Sequence, residues 1–198
     1  MDEEKVSFFT SDEKKTILNM WKTHPMRQLK IAKVVVHMGV GASGEKLEKA
    51  ITVLESLTKQ KPVKLLAKQT IRDFGIKKRE PITIKVSLRE EKAIEFLRNA
   101  LTVVDNKIKF SSIDQYGNFA FGIKEHIELP NTIHDPNLGI YGLDVCVNVE
   151  HPGNSISKRH NYKRKVPKKH RTNKLETMIF LNTKLGVEIV KEYVVSYY

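Results

Sequence analysis

Three segments of the chain alternate apolar with polar or small residues, which predicts strands that each bury one face. Residues 82–88 and residues 143–149 keep this alternation without interruption. In residues 119–123, phenylalanine and isoleucine alternate with alanine and glycine, so this strand has one bulky face and one nearly bare face. A bare face lets another backbone or a nucleic acid approach closely. Because phenylalanines spaced by two are usually core residues, we expect both rings to be buried.

Other stretches predict helices and further strands. Residues 29–38 form a continuous apolar run, which predicts a strand that is covered on both faces. Shorter β-rich segments lie at 63–66, 108–112 and 187–190. Helical spacing of apolar residues predicts a helix with a Thr10–Glu13 capping box that ends at His24-Pro25, and helices near 47–57 and 90–104. It also predicts a last helix that Asn173 and Glu176 cap and that Gly186 ends.

Length and composition limit what the protein can be. The 198 residues fit a single domain over residues 25–198, preceded by an extension over residues 1–24. The one cysteine, Cys146, excludes an internal disulfide, and its place in an alternating apolar run indicates a buried, inert thiol. The acidic start does not resemble a signal peptide, and no apolar run is long enough to span a bilayer. We therefore expect a cytoplasmic protein.

Positive charge dominates the chain and is concentrated in one segment. The formal net charge is +12 and the pI is near 9.6, which points to a polyanionic partner, nucleic acid before an anionic membrane. The basic arm, residues 151–172, contains no acidic residue and carries the cations Lys158, Arg159, Lys163, Arg164, Lys165, Lys168, Lys169 and Arg171. Because it has little to bury, we expect it to be mobile when free and to bind nucleic acid. It lacks the apolar face of a membrane-surface helix, so we expect no membrane partner.

A second basic segment, residues 68–80, surrounds an aromatic ring. Lys68 and Arg72 precede Phe74 in this segment, and further lysines follow it. The plain interpretation is a solvated basic loop. An aromatic side chain among basic residues is also typical of segments that stack single-stranded bases.

A glycine-rich turn raises the alternative of a nucleotide-dependent enzyme. Gly39, Gly41 and Gly44 lie between a predicted strand and a predicted helix, as in a dinucleotide fingerprint. The next β segment should end near an acidic residue but continues into Ala67-Lys68-Gln69, and later strands occur in pairs rather than alternating with helices. The sequence offers no supported catalytic triad and no zinc spacing. We therefore expect a binding protein without a cofactor or a metal.

One family shares a series of segments with this chain. The chain contains, in order, PMRQLKIAKVVVHMGVG, KQKPV, AKQTIRDFGIK, VSLR, DQYGNFAFGIKEHI and GIYGLDV. In order and spacing these segments resemble the universal large-subunit ribosomal protein number five, which binds 5S ribosomal RNA. The resemblance extends from Pro25 to about Val190. The long basic arm is similar to that of the archaeal and eukaryotic branch, and the brevity of the rest favours an archaeal source.

The resemblance implies a fold, a set of partners and four contact residues. The fold is α+β, with helices on one face of an antiparallel sheet and RNA on the other face and its loops. The implied 5S rRNA contacts are His37, Gln60, Phe74 and Ser87. His37 stands where the family usually has asparagine, Ser87 where threonine is common, and the turn before Gln60 reads T-K-Q in place of T-G-Q.

The resemblance also implies further partners on the ribosome. These are large-subunit rRNA, neighbouring ribosomal proteins and peptidyl-site tRNA. For the tRNA contact we favour the arm over residues 153–172.

A generic RNA-recognition module is the alternative among RNA-binding proteins. The segment GNFAFGI echoes the aromatic signature of such modules, but the leading basic residue and a second aromatic motif are missing. Such a module would bind single strands promiscuously, whereas the ribosomal family predicts a preference for one folded RNA.

Overall fold

The alternating segments form strands of a five-stranded antiparallel sheet in the computed structural model, which describes residues 9–130, 132 and 135–191. The helices are α1 (Ser11–Thr23), α2 (Glu45–Thr58), α3 (Glu90–Val103) and α4 (Lys174–Phe180). The strands are β1 (Lys30–Gly39), β2 (Val63–Leu66), β3 (Pro81–Leu88), β4 (Lys107–Lys109), β5 (Phe119–Ile123), β6 (Leu143–Glu150) and β7 (Glu188–Val190). The sheet has the order β2-β3-β1-β6-β5, and β4 pairs in parallel with β7. The predicted α+β fold class is confirmed.

The chain divides into two compact units. Among the described residues, the arm unit consists of residues 9–32, 104–119 and 147–191, and the sheet unit consists of residues 33–103 and the described part of 120–146. The sheet unit contains α2, α3, β2, β3 and most of β1. The arm unit contains α1, α4, the β4–β7 pair and the basic arm.

The core of the sheet unit comes from one face of its strands and the apolar stripes of its helices. Along β1, Val34, Val36 and Met38 are fully buried, whereas the residues between them are only partly covered. The prediction that this strand is covered on both faces is therefore wrong. Its second face belongs to the open side of the sheet, where Val35 lies opposite Ser87. The helix α2 packs against β3.

The arm unit joins the first helix to the last. The Thr10 N–H donates to Glu13 Oε2 at 2.8 Å, so the predicted capping box is present at the start of α1. The Trp21 ring meets Phe180 of α4 edge-on, with ring centroids 6.4 Å apart. The extension that precedes β1 therefore contributes to the core of this unit.

Two local predictions are wrong. The strand expected over residues 108–112 ends at Lys109, and Phe110–Ser112 form a single 3₁₀ turn. Cys146 is exposed, because β6 buries its leucine and its valines and turns the residues between them to the other face. Partial burial and then the Asp144 carboxylate raise the pKa of the Cys146 thiol, so the thiol stays protonated at neutral pH.

Candidate RNA-binding surface

On β5 and β6, the exposed face of the sheet unit consists of small and polar residues. Ala120 and Gly122 on β5 and Asp144 on β6 are exposed, as the alternation predicts. A methyl group at Gly122 would stand 3.6 Å from Asp144 Oδ1, so the two strands present these residues side by side. Phe119 and Phe121 are 3% and 8% exposed, which confirms them as core residues. The strand β5 therefore lacks the exposed aromatic rings that a generic RNA-recognition module requires.

A row of polar side chains crosses this open face from strand to strand. His37 Nδ1 on β1 lies 3.4 Å from Asp144 Oδ2 on β6. In the register, His37 is directly opposite Lys85 on β3, and Lys85 is opposite Val63 on β2. An imidazole and an ammonium group thus flank one another on an accessible surface, and both can bind phosphates or 2′-hydroxyls.

Gln60 is held beside Ser87 by the turn that ends α2. The Thr58 hydroxyl contacts the carbonyl oxygens of Leu54 and Gln60 at 2.7 and 3.2 Å. Gln60 Nε2 donates to the Ser87 carbonyl oxygen at 3.4 Å. Lys59, between the two, has a left-handed backbone with φ of 50°. Glycine adopts this conformation without strain, whereas a lysine adopts it only with backbone strain.

The loop between β2 and β3 presents Phe74 to solvent. Ile71 and Ile76 form an antiparallel bridge, with N–O distances of 2.9 and 3.1 Å, that closes the tip of the loop. The Phe74 side chain in this tip is 75% exposed, and Lys68 and Arg72 are exposed beside it in sequence. His37, Gln60 and Ser87 therefore lie on adjoining segments of the sheet unit, and Phe74 extends from a loop of the same unit.

The glycine-rich turn is arranged differently from a dinucleotide site. The N–H groups of Val40 and Gly41 donate to the Ile82 carbonyl oxygen at 3.3 and 3.1 Å, so both amides are hydrogen-bonded to β3. The strand β3 also lies between β1 and β2, whereas a dinucleotide fold needs a helix that connects adjacent parallel strands. The nucleotide-dependent enzyme is therefore not supported.

This turn is tied to the basic loop through Glu80. The Ser43 hydroxyl and the Lys77 N–H both donate to the Glu80 carboxylate. The Ser43 bond, and after it the Lys77 bond, hold the pKa of the Glu80 carboxyl below its ordinary value. The carboxylate thus connects the entry to α2 with the end of the loop that carries Phe74.

The structure divides the cations of the basic arm into two groups. Three bond within the arm unit: Lys158 pairs with Glu150, Arg159 donates to the Tyr162 carbonyl oxygen, and Arg171 donates from Nε to the Val166 carbonyl oxygen at 3.0 Å. The other five are exposed, as are Lys158 and Arg159, but the side chains of these five make no hydrogen bond or ion pair with the described residues; they are Lys163, Arg164, Lys165, Lys168 and Lys169. The backbone of the arm is irregular, with single 3₁₀ turns at Asn154–Ser157 and Lys168–His170.

The base of the arm is fixed by a pair that the sequence does not reveal. His151 Nε2 lies 3.2 Å from Glu176 Oε2, with the two side chains only 13% and 17% exposed. The sequence predicts that Asn173 and Glu176 cap α4, but Glu176 faces His151, and the Asn173 side chain makes no capping bond. Arm residues and neighbouring residues of this unit line a cavity of about 1120 Å³.

Two further properties of the described residues limit what the site can be. Within residues 9–130, 132 and 135–191, no group of three or more His, Cys, Asp or Glu side chains is placed to hold a metal ion. In the same part of the chain, no helix is both long and apolar enough to cross a membrane.

Comparison with known proteins assigns the family. Residues 24–77 match the family described as "Ribosomal protein L5", and residues 81–180 match the model of that ribosomal family's C-terminus. Similar proteins carry the name "Large ribosomal subunit protein uL5". That of Aeropyrum pernix is 49% identical over 88% of this chain and 91% of its own length, that of Sulfurisphaera tokodaii 48% over 85% and 96%, and that of Archaeoglobus fulgidus 48% over 83% and 91%. The chain therefore belongs to the uL5 family of large-subunit ribosomal proteins.

Proposed function

We propose that the protein binds 5S rRNA through the open face of the sheet unit and the loop that carries Phe74. Family membership makes the chain a non-catalytic constituent of the large subunit of the cytoplasmic ribosome, with rRNA and neighbouring ribosomal proteins as partners. The proposal names the RNA and the residues: His37, Gln60 and Ser87 supply hydrogen bonds, Phe74 stacks on a base, and Lys68 and Arg72 neutralise phosphate.

One observation carries this proposal. The open face lacks bulky side chains on β5, and beside it the polar groups of His37, Gln60 and Ser87 come from three adjoining segments. A folded RNA can approach such a face closely, since RNA is recognised by shape, 2′-hydroxyls and exposed loop bases. Phe74, at 75% exposure, has no role in the core and is suited to stacking.

Competition binding tests the proposal. The full chain at near-physiological salt should prefer 5S rRNA over an unrelated folded RNA and over tRNA. Phe74→Ala should weaken 5S binding by about 1–3 kcal/mol if the ring stacks a base. Ile71→Ala, in the same loop, removes an apolar side chain without a ring and serves as the matched control. Equal binding of every RNA, or equal effects of the two substitutions, would contradict the proposal.

The exposed cations of the basic arm support a contact with peptidyl-site tRNA over residues 153–172, and with large-subunit rRNA. They form a single-signed, accessible segment, and such segments bind the phosphate backbone. Replacing Lys163, Lys165 and Lys169 by alanine should weaken tRNA binding more than 5S binding. Removing the exposed Lys15, Lys22 and Lys92 subtracts the same charge elsewhere and should affect neither RNA strongly. If the control set acts equally, only general charge is involved.

A further inference from the structure

The tip of the basic arm is closed by one arginine. The Arg159 guanidinium donates from Nε and Nη2 to the Tyr162 carbonyl oxygen at 3.0 and 2.8 Å. The Arg164 N–H donates to the Ile156 carbonyl oxygen at 3.3 Å and closes the loop at its base. Two donors on one edge of the guanidinium group thus bind a single carbonyl oxygen within the chain. Because the guanidinium group is planar and rigid, it holds that oxygen in a fixed position. The segment from Ile156 to Arg164 is a hydrogen-bonded loop.

This loop holds Tyr162 in an uncommon conformation and turns its ring outward. Tyr162 has φ of 52°, in the left-handed region that aromatic residues seldom occupy. Its side chain is 87% exposed, the highest value among the large apolar and aromatic side chains in the described part of the chain. A ring so exposed contributes little to folding. A strained backbone that presents such a ring indicates a functional constraint rather than a packing one.

The charge around Tyr162 selects the kind of partner. Arg159 precedes the ring, Lys163, Arg164 and Lys165 follow it, and the arm has no acidic residue. An aromatic ring among accessible cations is the arrangement with which proteins stack bases while they neutralise the adjoining phosphates. A protein partner would need a strongly acidic surface with a pocket for the ring, which fits this segment less well than RNA does.

We infer that Tyr162 is a stacking site for an unpaired or terminal base of RNA, and that Arg159 is a positioning residue that holds the ring outward. This inference rests on the proposed function and adds to it a base contact in the arm. It also gives Arg159 a role different from the phosphate contact that the sequence predicts. The base belongs to 5S rRNA, to large-subunit rRNA or to tRNA, and the experiment treats these three as separate probes.

Affinity measurements on the full chain test the stacking role of Tyr162. Tyr162→Ala should weaken binding to at least one of the three RNAs by about 5-fold to 150-fold, which corresponds to the usual loss of one stacked base. Tyr162→Phe keeps the ring and should bind as the unaltered chain does. The slope of log affinity against log salt should stay unchanged in Tyr162→Ala, because no phosphate contact is removed, whereas Lys163→Ala should make it shallower by about 0.7–0.9.

A double-mutant cycle tests the role of Arg159. Arg159→Lys keeps the charge but loses the fork, so we expect it to weaken the same RNA without changing the salt slope. The double variant with Tyr162→Ala should bind RNA little more weakly than Tyr162→Ala alone, because both substitutions remove the same stacking contact of the Tyr162 ring. If Arg159→Lys binds normally, or if the two losses add, Arg159 does not position the ring.

The outcomes separate this inference from the proposed function. If Tyr162→Ala binds all three RNAs normally while the arm lysine variants weaken binding, the arm binds RNA and the stacking site is wrong. If Tyr162→Phe is as weak as Tyr162→Ala, the hydroxyl acts rather than the ring, which also overturns stacking. If the unaltered chain shows no preference among RNAs and Phe74→Ala has no effect, the proposed function itself fails.

Discussion

Gly117 shows how one residue fixes the turn before β5. Its φ is +75°, and a Cβ atom there would lie 2.2 Å from Thr177 Oγ1 and 2.7 Å from Thr172 Cγ2. Thr177 belongs to α4 and is fully buried. The turn is thus pressed against the last helix so closely that no side chain fits.

Replacing Gly117 by alanine should destabilise the fold strongly. We expect Gly117→Ala to lower the free energy of unfolding by more than about 3 kcal/mol, since overpacking adds to the cost of a left-handed backbone. The matched control is Gly186→Ala, where φ is +66° but nothing lies within 4 Å. That change should cost only about 1–2 kcal/mol. Urea unfolding measures both, and equal losses would show that the space at Gly117 is not limiting.

At Lys59 the opposite substitution, to glycine, should stabilise the fold. Because it holds a left-handed conformation at the end of α2, Lys59→Gly should raise the free energy of unfolding by about 1 kcal/mol. Lys61→Gly removes the same charge nearby, at a residue without positive φ, and should not stabilise. Thermal or urea unfolding distinguishes the two variants. A destabilising Lys59→Gly would mean that the lysine side chain stabilises the turn more than its backbone strains it.

Alternation along a strand predicts which face of the sheet each side chain takes. Cys146 stands between two buried valines of β6, and its parity with Asp144 places it on the exposed face. That parity is visible in the sequence. The fork from Arg159 to Tyr162 is not, because only the folded loop brings the guanidinium to that carbonyl.

Periodicity predicts the helices and strands of this chain but not which of them become neighbours. The alternation over residues 82–88 and 119–123 gives β3 and β5 with the correct buried faces. The insertion of β3 between β1 and β2 depends on pairing across many residues, so the glycine-rich turn could be mistaken for a nucleotide site. The contact of His151 with Glu176 joins residues 25 positions apart and leaves no local signal.

The junction of β6 with the arm makes stability depend on pH. Burial raises the pKa of Glu150, but hydrogen bonds from Lys158 and then Asn154 outweigh it, so the pKa is lowered from its ordinary value of 4.5. A lowered pKa in the folded state stabilises the fold above the unfolded-state value, and this stability is lost as the pH falls through the folded-state pKa. The wild type should therefore exceed Glu150→Gln in free energy of unfolding at pH 7, and the excess should be lost as the pH falls below 4.5 and through the lowered folded-state pKa.

Unfolding curves measured from neutral to acidic pH check this prediction. Lys158→Ala should reduce the same excess, because it removes the bond that contributes most to lowering the Glu150 pKa. An excess that is independent of pH would contradict the linkage and would leave only the loss of packing at this junction.

The partner and the family of the protein are predicted best by the charge distribution and by the order of the segments. The net charge of +12 and the acid-free arm indicate an RNA partner, and the order of matching segments indicates the family. Sequence alone does not separate the arm cations whose side chains bond within the chain from those whose side chains make no such bond with the described residues. Glu150, Val166 and the Tyr162 carbonyl take up three of them through contacts that only the fold creates.

The two groups of arm cations predict how steeply RNA binding by the full chain depends on salt. If all five exposed cations, Lys163, Arg164, Lys165, Lys168 and Lys169, contact phosphates, their replacement by alanine should make the slope of log affinity against log salt shallower by about 3.5–4.5, or 0.7–0.9 for each contact. Because these side chains are exposed, the unfolding midpoint should hardly change. Replacing Lys158 and Arg171, which bond within the arm unit, should instead lower that midpoint and change the slope little. If replacing Lys158 and Arg171 changed the slope more than replacing the five other cations, Lys158 and Arg171 would contact phosphates in the complex. The arm would then have to rearrange when it binds RNA.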